Sequence, residues 1–163
     1  MAELTPSQTV GPFFHLGLAW PPAPALSGGI RVNGQVLDGA GTPVPDALIE
    51  LWQADAQGAP QPLGGLQRVA VDSEGRFSVE SLTPGAADGA APCLLLTVFA
   101  RGLLRQLHTR LYFPEDAALH HRDPVLQAVP PARRATLVAV AEGQAYRFDI
   151  HLQGPHETVF FDV

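Results

Sequence analysis

A chain of 163 residues, 46% hydrophobic and only 16% charged, is long enough for one folded domain and too apolar to be disordered. Its net charge of −6 argues against the clustered basic face that nucleic-acid binding needs. The single cysteine, Cys93, excludes an intramolecular disulfide and a multi-cysteine metal site. No apolar run is long enough to span a bilayer, and the first residues lack signal-peptide features, so we expect no membrane association and a cytoplasmic location.

The amino-terminal segment, residues 5–15, reads TPSQTVGPFFH and follows neither a helical nor a strand period. Two prolines restrict its backbone, and Phe13 and Phe14 supply apolar anchors that a disordered tail would lack. We therefore predict an ordered arm that lies in a groove of its own domain or of a partner. Residues 21–29, PPAPALSGG, read as its linker to the body, so the arm and linker cover residues 1–29.

From residue 30 onward, apolar and polar residues alternate with a period of two, which indicates strands with one buried face. Strand 93–100 is apolar on both faces, so we expect a central strand that is covered on both sides. Only residues 114–127 favour helix, with a start at Asp123 and Pro124. Short strands with Gly/Pro turns between them predict an all-β fold. The predicted strands are 30–36, 47–54, 66–71, 76–80, 93–100, 107–113, 136–141, 146–152 and 158–161.

Five motifs of the body occur together with the arm: ELWQAD at 50–55, DSEGRF at 72–77, FARG at 99–102, HTRLYF at 108–113 and ETVFFD at 157–162. Together they closely resemble the intradiol ring-cleaving dioxygenases over nearly the whole chain. The GQVLD turn at 34–38 is less specific, because transthyretin-like sandwiches share it. The resemblance implies a single β-sandwich of two mixed sheets in one domain, residues 1–163, with the sandwich at 30–163. It also implies short helices at most.

The resemblance implies chemistry at a ferric ion held by two tyrosines and by two histidines in a His-x-His pair. The matching strand positions are Cys93 and Leu95, and neither side chain can replace an imidazole on a hard cation. The loops 53–66 and 82–92, where the family carries its tyrosines, contain none. The resemblance therefore implies an iron-free subunit with no metal ligand of its own. Fe³⁺ would then be held by a homologous iron-bearing beta subunit in a higher-order hetero-oligomer.

The resemblance further implies that this chain forms a wall of the partner's substrate pocket. The residues in question are Thr9, Gly11, Pro12, Phe13 and Arg101. Gly11 would let the backbone approach closely, Pro12 would be a rigid wall and Phe13, where the family often has tyrosine, would cover the ring. The planar fork of Arg101 suits a carboxylate. The alternative is that the arm packs on its own domain and that Arg101 is a solvated turn residue.

The implied activity is that of a subunit with no catalytic residue of its own. With its beta partner and O₂ it would open the ring of 3,4-dihydroxybenzoate to give 3-carboxy-cis,cis-muconate. An alternative is a non-catalytic transthyretin-like sandwich that binds a ligand or a protein. A third possibility, a self-sufficient iron dioxygenase, is opposed by the missing ligands.

Overall fold

The computed structural model describes residues 4–19, 29–61, 65–87 and 89–162. Most of the predicted linker lies outside the described residues. The described strands are β1 (Ile30–Leu37), β2 (Leu48–Trp52), β3 (Leu66–Ala70), β4 (Arg76–Ser81), β5 (Cys93–Phe99), β6 (Leu107–Tyr112), β7 (Val140–Glu142), β8 (Ala145–Arg147) and β9 (Ile150–His151). The described helices are short: α1 (Ala117–His120), α2 (Pro124–Ala128) and the 3₁₀ segments Phe14–Gly17, Pro114–Asp116 and Pro131–Leu137.

The strands form two sheets, and the predicted β-sandwich is confirmed. In the first sheet, in the order β4-β1-β8-β7 with β9 also on β1, the pairing is mixed, as predicted. The second sheet, in the order β3-β2-β5-β6, is antiparallel in every described pair, so the prediction of two mixed sheets is wrong for it. Its outer pairs are strands consecutive in the chain, and a loop that reverses direction gives antiparallel neighbours.

The main core lies between the two sheets and is built mainly from alternate residues of β1, β2, β4 and β5. In β5, Leu94, Leu96 and Val98 point into this core, whereas Cys93, Leu95 and Thr97 alternate with them and are only partly buried. The strand is central in its sheet, as predicted. The prediction of full cover on both sides is wrong, because only part of the outer face is overlaid by other elements.

The covered part of that outer face is a second apolar cluster, which we call the outer cluster. It joins Ala91, Tyr112, Leu126, Val129 and Leu137. Buried Asp123 fixes it, because its carboxylate accepts hydrogen bonds from the Leu126 amide (2.7 Å), the Ala91 amide (3.0 Å) and the Tyr112 hydroxyl (3.1 Å). The predicted helix start is thus a side-chain cap of α2.

Two of the predicted strands are shorter or absent among the described residues. Residues 136–137 end a 3₁₀ segment in which the Thr136 hydroxyl donates to the Arg133 carbonyl, so β7 begins only at Val140. The segment 158–161 is not a strand, because its backbone divides between the sheets: the Thr158 amide donates to His151 of β9 and the Phe161 amide to His108 of β6.

The predicted strand 146–152 is divided into β8 and β9. Between them the Phe148 carbonyl comes so close to Gly34 that a β-carbon there would lie 2.0 Å from the oxygen. Gly34 is therefore required by packing at this crossing of β1, and any side chain would displace Phe148 from the core.

Candidate functional site

The outer face of the second sheet carries an ordered grid of side chains beyond the outer cluster. Pairing places Leu95 between Trp52 and Arg110, and it places Thr97 between Glu50 and His108. These two rows line a cavity of about 500 Å³, which we call the outer-face cavity. Leu66, Val125 and Phe161 complete its apolar wall.

The two positions that match the family's histidines differ in their surroundings. Cys93 packs against the outer cluster, and burial raises the pKa of its thiol to about 11 although the nearby Arg110 charge opposes the rise. Leu95 lines the outer-face cavity. A thiol that stays protonated at neutral pH and an alkane side chain cannot ligate Fe³⁺.

The tyrosines do not replace the missing ligands. The Tyr112 hydroxyl donates to buried Asp123, and burial raises the pKa of the Tyr112 phenol, which disfavours the phenolate that would bind iron. Burial and the Glu115 carboxylate also raise the pKa of Tyr146. Within the described ranges no three His, Cys, Asp or Glu side chains converge as a metal site. Among the described residues, neither the two strand positions nor the tyrosines fit a ferric ion.

The arm is attached to the body at Thr9, whose hydroxyl accepts a 2.7 Å hydrogen bond from the Gly102 amide. Gln8 and Val10 line a small groove together with residues 99–100 and 103–106. Beyond this point the arm presents apolar side chains to solvent: Phe13 is 73% exposed and Leu16 is 71% exposed. A β-carbon at Gly11 would meet no atom within 4 Å, so its backbone is open to close approach from outside.

Arg101 lies on the same loop as Gly102, which has a positive φ of 95°. Its Nε is 3.1 Å from the Asp46 carboxylate, which is nearly buried, while the Arg101 side chain is 57% exposed. The described contacts thus bring Thr9 and Arg101 to the same corner of the molecule. They record no contact between Arg101 and Gly11, Pro12 or Phe13, which lie farther along the arm.

Sequence reasoning missed two parts of this arrangement. Asp46 pairs with Arg101 across a long sequence separation, and no local pattern signals that pair. The outer-face cavity has a local signal, because Glu50, His108 and Arg110 are polar residues on strands that are otherwise apolar.

Comparison with known proteins identifies the family. The protocatechuate 3,4-dioxygenase alpha chain of Burkholderia cepacia is 43% identical over 192 aligned positions, which cover 98% of this chain and 97% of that one. The chain belongs to the intradiol ring-cleaving dioxygenases. A family model described as Dioxygenase matches residues 25–95. Because the alignment is longer than this chain of 163 residues, about thirty positions of the relative have no counterpart here.

Two further likenesses extend the comparison to a second type of chain and to a solved structure. The protocatechuate 3,4-dioxygenase beta chain of Burkholderia cepacia is 35% identical and covers 79% of this chain and 66% of its own length. The solved dioxygenase domain of a carbohydrate-binding fusion protein from Streptomyces sp. SirexAA-E superposes with a TM-score of 0.64. That match has 22% identity and covers 92% of this chain and 99% of the other, which shows that the two share the sandwich fold.

No described helix has the length and apolar character needed to cross a membrane.

Proposed function

We propose that this chain is the iron-free alpha subunit of a protocatechuate 3,4-dioxygenase. With a homologous beta subunit that holds Fe³⁺, it takes part in the cleavage of 3,4-dihydroxybenzoate by O₂ to 3-carboxy-cis,cis-muconate. The observation that carries the proposal is the 43% identity to an alpha chain over 98% of this sequence, arm and tail included. The loss of both histidine positions, to Cys93 and Leu95, supports the assignment of the metal to the partner.

The role of this chain is to form one wall of the partner's pocket. Thr9 fastens the arm to the Arg101 loop, and the exposed Phe13 is free to enter a neighbouring subunit. Asp46 engages Nε of Arg101, which leaves the two terminal nitrogens without a described partner. Those nitrogens can donate two parallel hydrogen bonds to a substrate carboxylate. The alternative, a non-catalytic ligand-binding sandwich, has no comparable support.

We also propose that residues 1–163 form a single domain, with the sandwich at 30–163, because both sheets share one core. The proposed location is the cytoplasm, and higher-order association with beta is the proposed assembly.

The substrate role is tested by Arg101→Ala in the complex of this chain with a beta chain from the same genome. We expect kcat/KM for 3,4-dihydroxybenzoate to fall about ten- to a hundred-fold more than that for catechol, since a charge-assisted contact is typically worth about 1.5–3 kcal/mol. Comparing two substrates on one preparation cancels differences in the amount of folded enzyme.

Arg105→Ala is the matched control, because Arg105 is an exposed arginine at the far end of the same loop. Equal losses on both substrates in Arg101→Ala would assign Arg101 to the support of Asp46 instead. An active, iron-loaded beta chain that needs no alpha chain would overturn the proposed function itself.

A further inference from the structure

The outer-face cavity is not used by the proposed function, which places turnover in a pocket of the partner. Its volume of about 500 Å³ lies in the range of pockets for small organic ligands. Trp52, Leu66, Leu95 and Phe161 make most of its wall apolar. An apolar cavity with a few polar groups at fixed places is the usual form of a small-molecule site.

The charges at the cavity select one kind of ligand. Glu50 is already neutralised, because its carboxylate pairs with Arg68 at 2.6 Å. His108 shares a 3.2 Å hydrogen bond with Thr97, and Asp162 lies exposed at the mouth, where solvent screens it. Arg110 differs, since no carboxylate among the described residues pairs with it.

Arg110 is partly buried, and its guanidinium lies 6.0 Å from the centre of the Phe161 ring. Asp123 lies behind it in the outer cluster and attracts its charge, but no described ion pair joins the two, and the Asp123 oxygens accept hydrogen bonds from Tyr112, Leu126 and Ala91. A partly desolvated cation without a carboxylate partner at an apolar cavity favours an anionic ligand.

The spacing of the strands across the cavity also limits the length of the ligand. Neighbouring strands lie about 4.8 Å apart, so the backbones of β2 and β6 are separated by about 10 Å across Leu95. An aromatic ring over Leu95 could place a carboxylate against Arg110 on one side. Glu50 lies in the neighbouring row, diagonally across from Arg110, so a hydroxyl at the far end of the ring is directed toward the Glu50 carboxylate.

We propose that the outer-face cavity binds a hydroxylated aromatic carboxylate, as a second and non-catalytic site on the alpha subunit. Arg110 holds the carboxylate, Glu50 accepts from the hydroxyl, and Trp52 and Phe161 flank the ring. The binding chemistry is reversible and needs no metal.

The test is a calorimetric titration of the assembled enzyme with 4-hydroxybenzoate, followed in parallel by the visible band of the iron. We expect two molecules bound per iron, of which the optical change reports one. Arg110→Gln should raise the dissociation constant of the second calorimetric binding phase, the one without an optical change, at least tenfold. It should leave the optical titration unchanged. Arg122→Gln is the matched control, because Arg122 is an exposed arginine away from the cavity, and it should retain both phases.

Leu95→Trp is a second variant, which fills the cavity and keeps the charges. It should also abolish the second phase, and it keeps the test decisive if Arg110→Gln fails to fold. One molecule per iron in the wild type would overturn the inference, as would two per iron in Leu95→Trp. The proposed function would survive either outcome, since it is judged by iron content and ring cleavage.

Discussion

Cys93 and Leu95, at the family's histidine positions, and the buried tyrosine Tyr112 each have a structural role. Cys93 fills part of the outer cluster, Leu95 lines the outer-face cavity and Tyr112 donates to Asp123. These contacts are incompatible with a thiolate or a phenolate, because both anions would have to lose their solvation in apolar surroundings. The packing around Cys93 and Tyr112 therefore favours their neutral side chains.

The Cys93 thiol should make the stability of the folded chain depend on pH. Its folded pKa, about 11, lies above the unfolded value of 9.0, so the folded state retains the proton longer. The stabilisation is complete below pH 9 and is lost as the pH rises toward 11. The sequence contains no lysine, and the two tyrosines, which also titrate in this window when unfolded, are common to the wild type and a Cys93 variant, so the difference between the two proteins reports Cys93. Two pKa units correspond to about 2–3 kcal/mol.

We expect the free energy of unfolding in urea to fall by about 2 kcal/mol more in the wild type than in Cys93→Ala between pH 9 and pH 11. Iodoacetamide should correspondingly react slowly with the folded protein at pH 8. Parallel pH profiles of the two proteins would show that Cys93 is solvated and that the outer cluster is looser than described.

Among the strands, the alternation of apolar and polar residues predicted the correct range wherever burial of one face determines where a strand begins and ends. Strands β1, β2, β4, β5 and β6 follow the predicted ranges because each buries one face in the core. Strand β3 follows its range through its pairing with β2, although its residues are only partly buried. The predictions for 136–141 and 158–161 were wrong because backbone partners decide there, through Thr136 and through bonds to two different sheets. The candidate wall residues were available from the family resemblance, whereas the pairing of Arg101 with Asp46 depends on the tertiary fold.

The cap of α2 gives a test at this scale. Asp123→Ala removes three hydrogen bonds from a buried carboxylate and leaves the Tyr112 hydroxyl and two amides without that partner. We expect a loss of about 2–4 kcal/mol, seen as a melting temperature several degrees lower in the assembled protein. Asp116→Ala is the control, since Asp116 precedes α1 without a side-chain cap. Similar losses in both variants would disprove the role of Asp123.

The arm gives a second test. Deleting residues 1–11 removes Thr9 and its bond to Gly102 but touches neither sheet. We expect KM for 3,4-dihydroxybenzoate to rise by about tenfold with iron content unchanged, because the loss of a pocket wall weakens substrate contacts. Thr9→Val, which keeps the shape of the side chain and loses the acceptor, should show a smaller rise in the same direction. Unchanged kinetics in the truncated complex would mean that the arm packs only on its own domain.

The surface of the whole chain has the composition expected of a subunit that contacts another protein. Only 16% of its residues are charged, against about a quarter in typical soluble proteins. Large apolar side chains are exposed on the arm and on the loop after β5: Leu4, Phe13, Leu16 and Leu104. Apolar surface of this kind marks contact sites between proteins, so we expect self-association when the beta partner is absent.

The proposed function requires this chain to contribute to ring cleavage without holding the iron. Metal analysis and a 3,4-dihydroxybenzoate assay on the full chain, expressed alone and then with a beta chain that carries the two tyrosines and the His-x-His pair, test this requirement. We expect no bound iron, no visible phenolate-to-iron band and no ring cleavage alone, and all three in the complex. Stoichiometric iron with that band in the chain expressed alone would contradict the account.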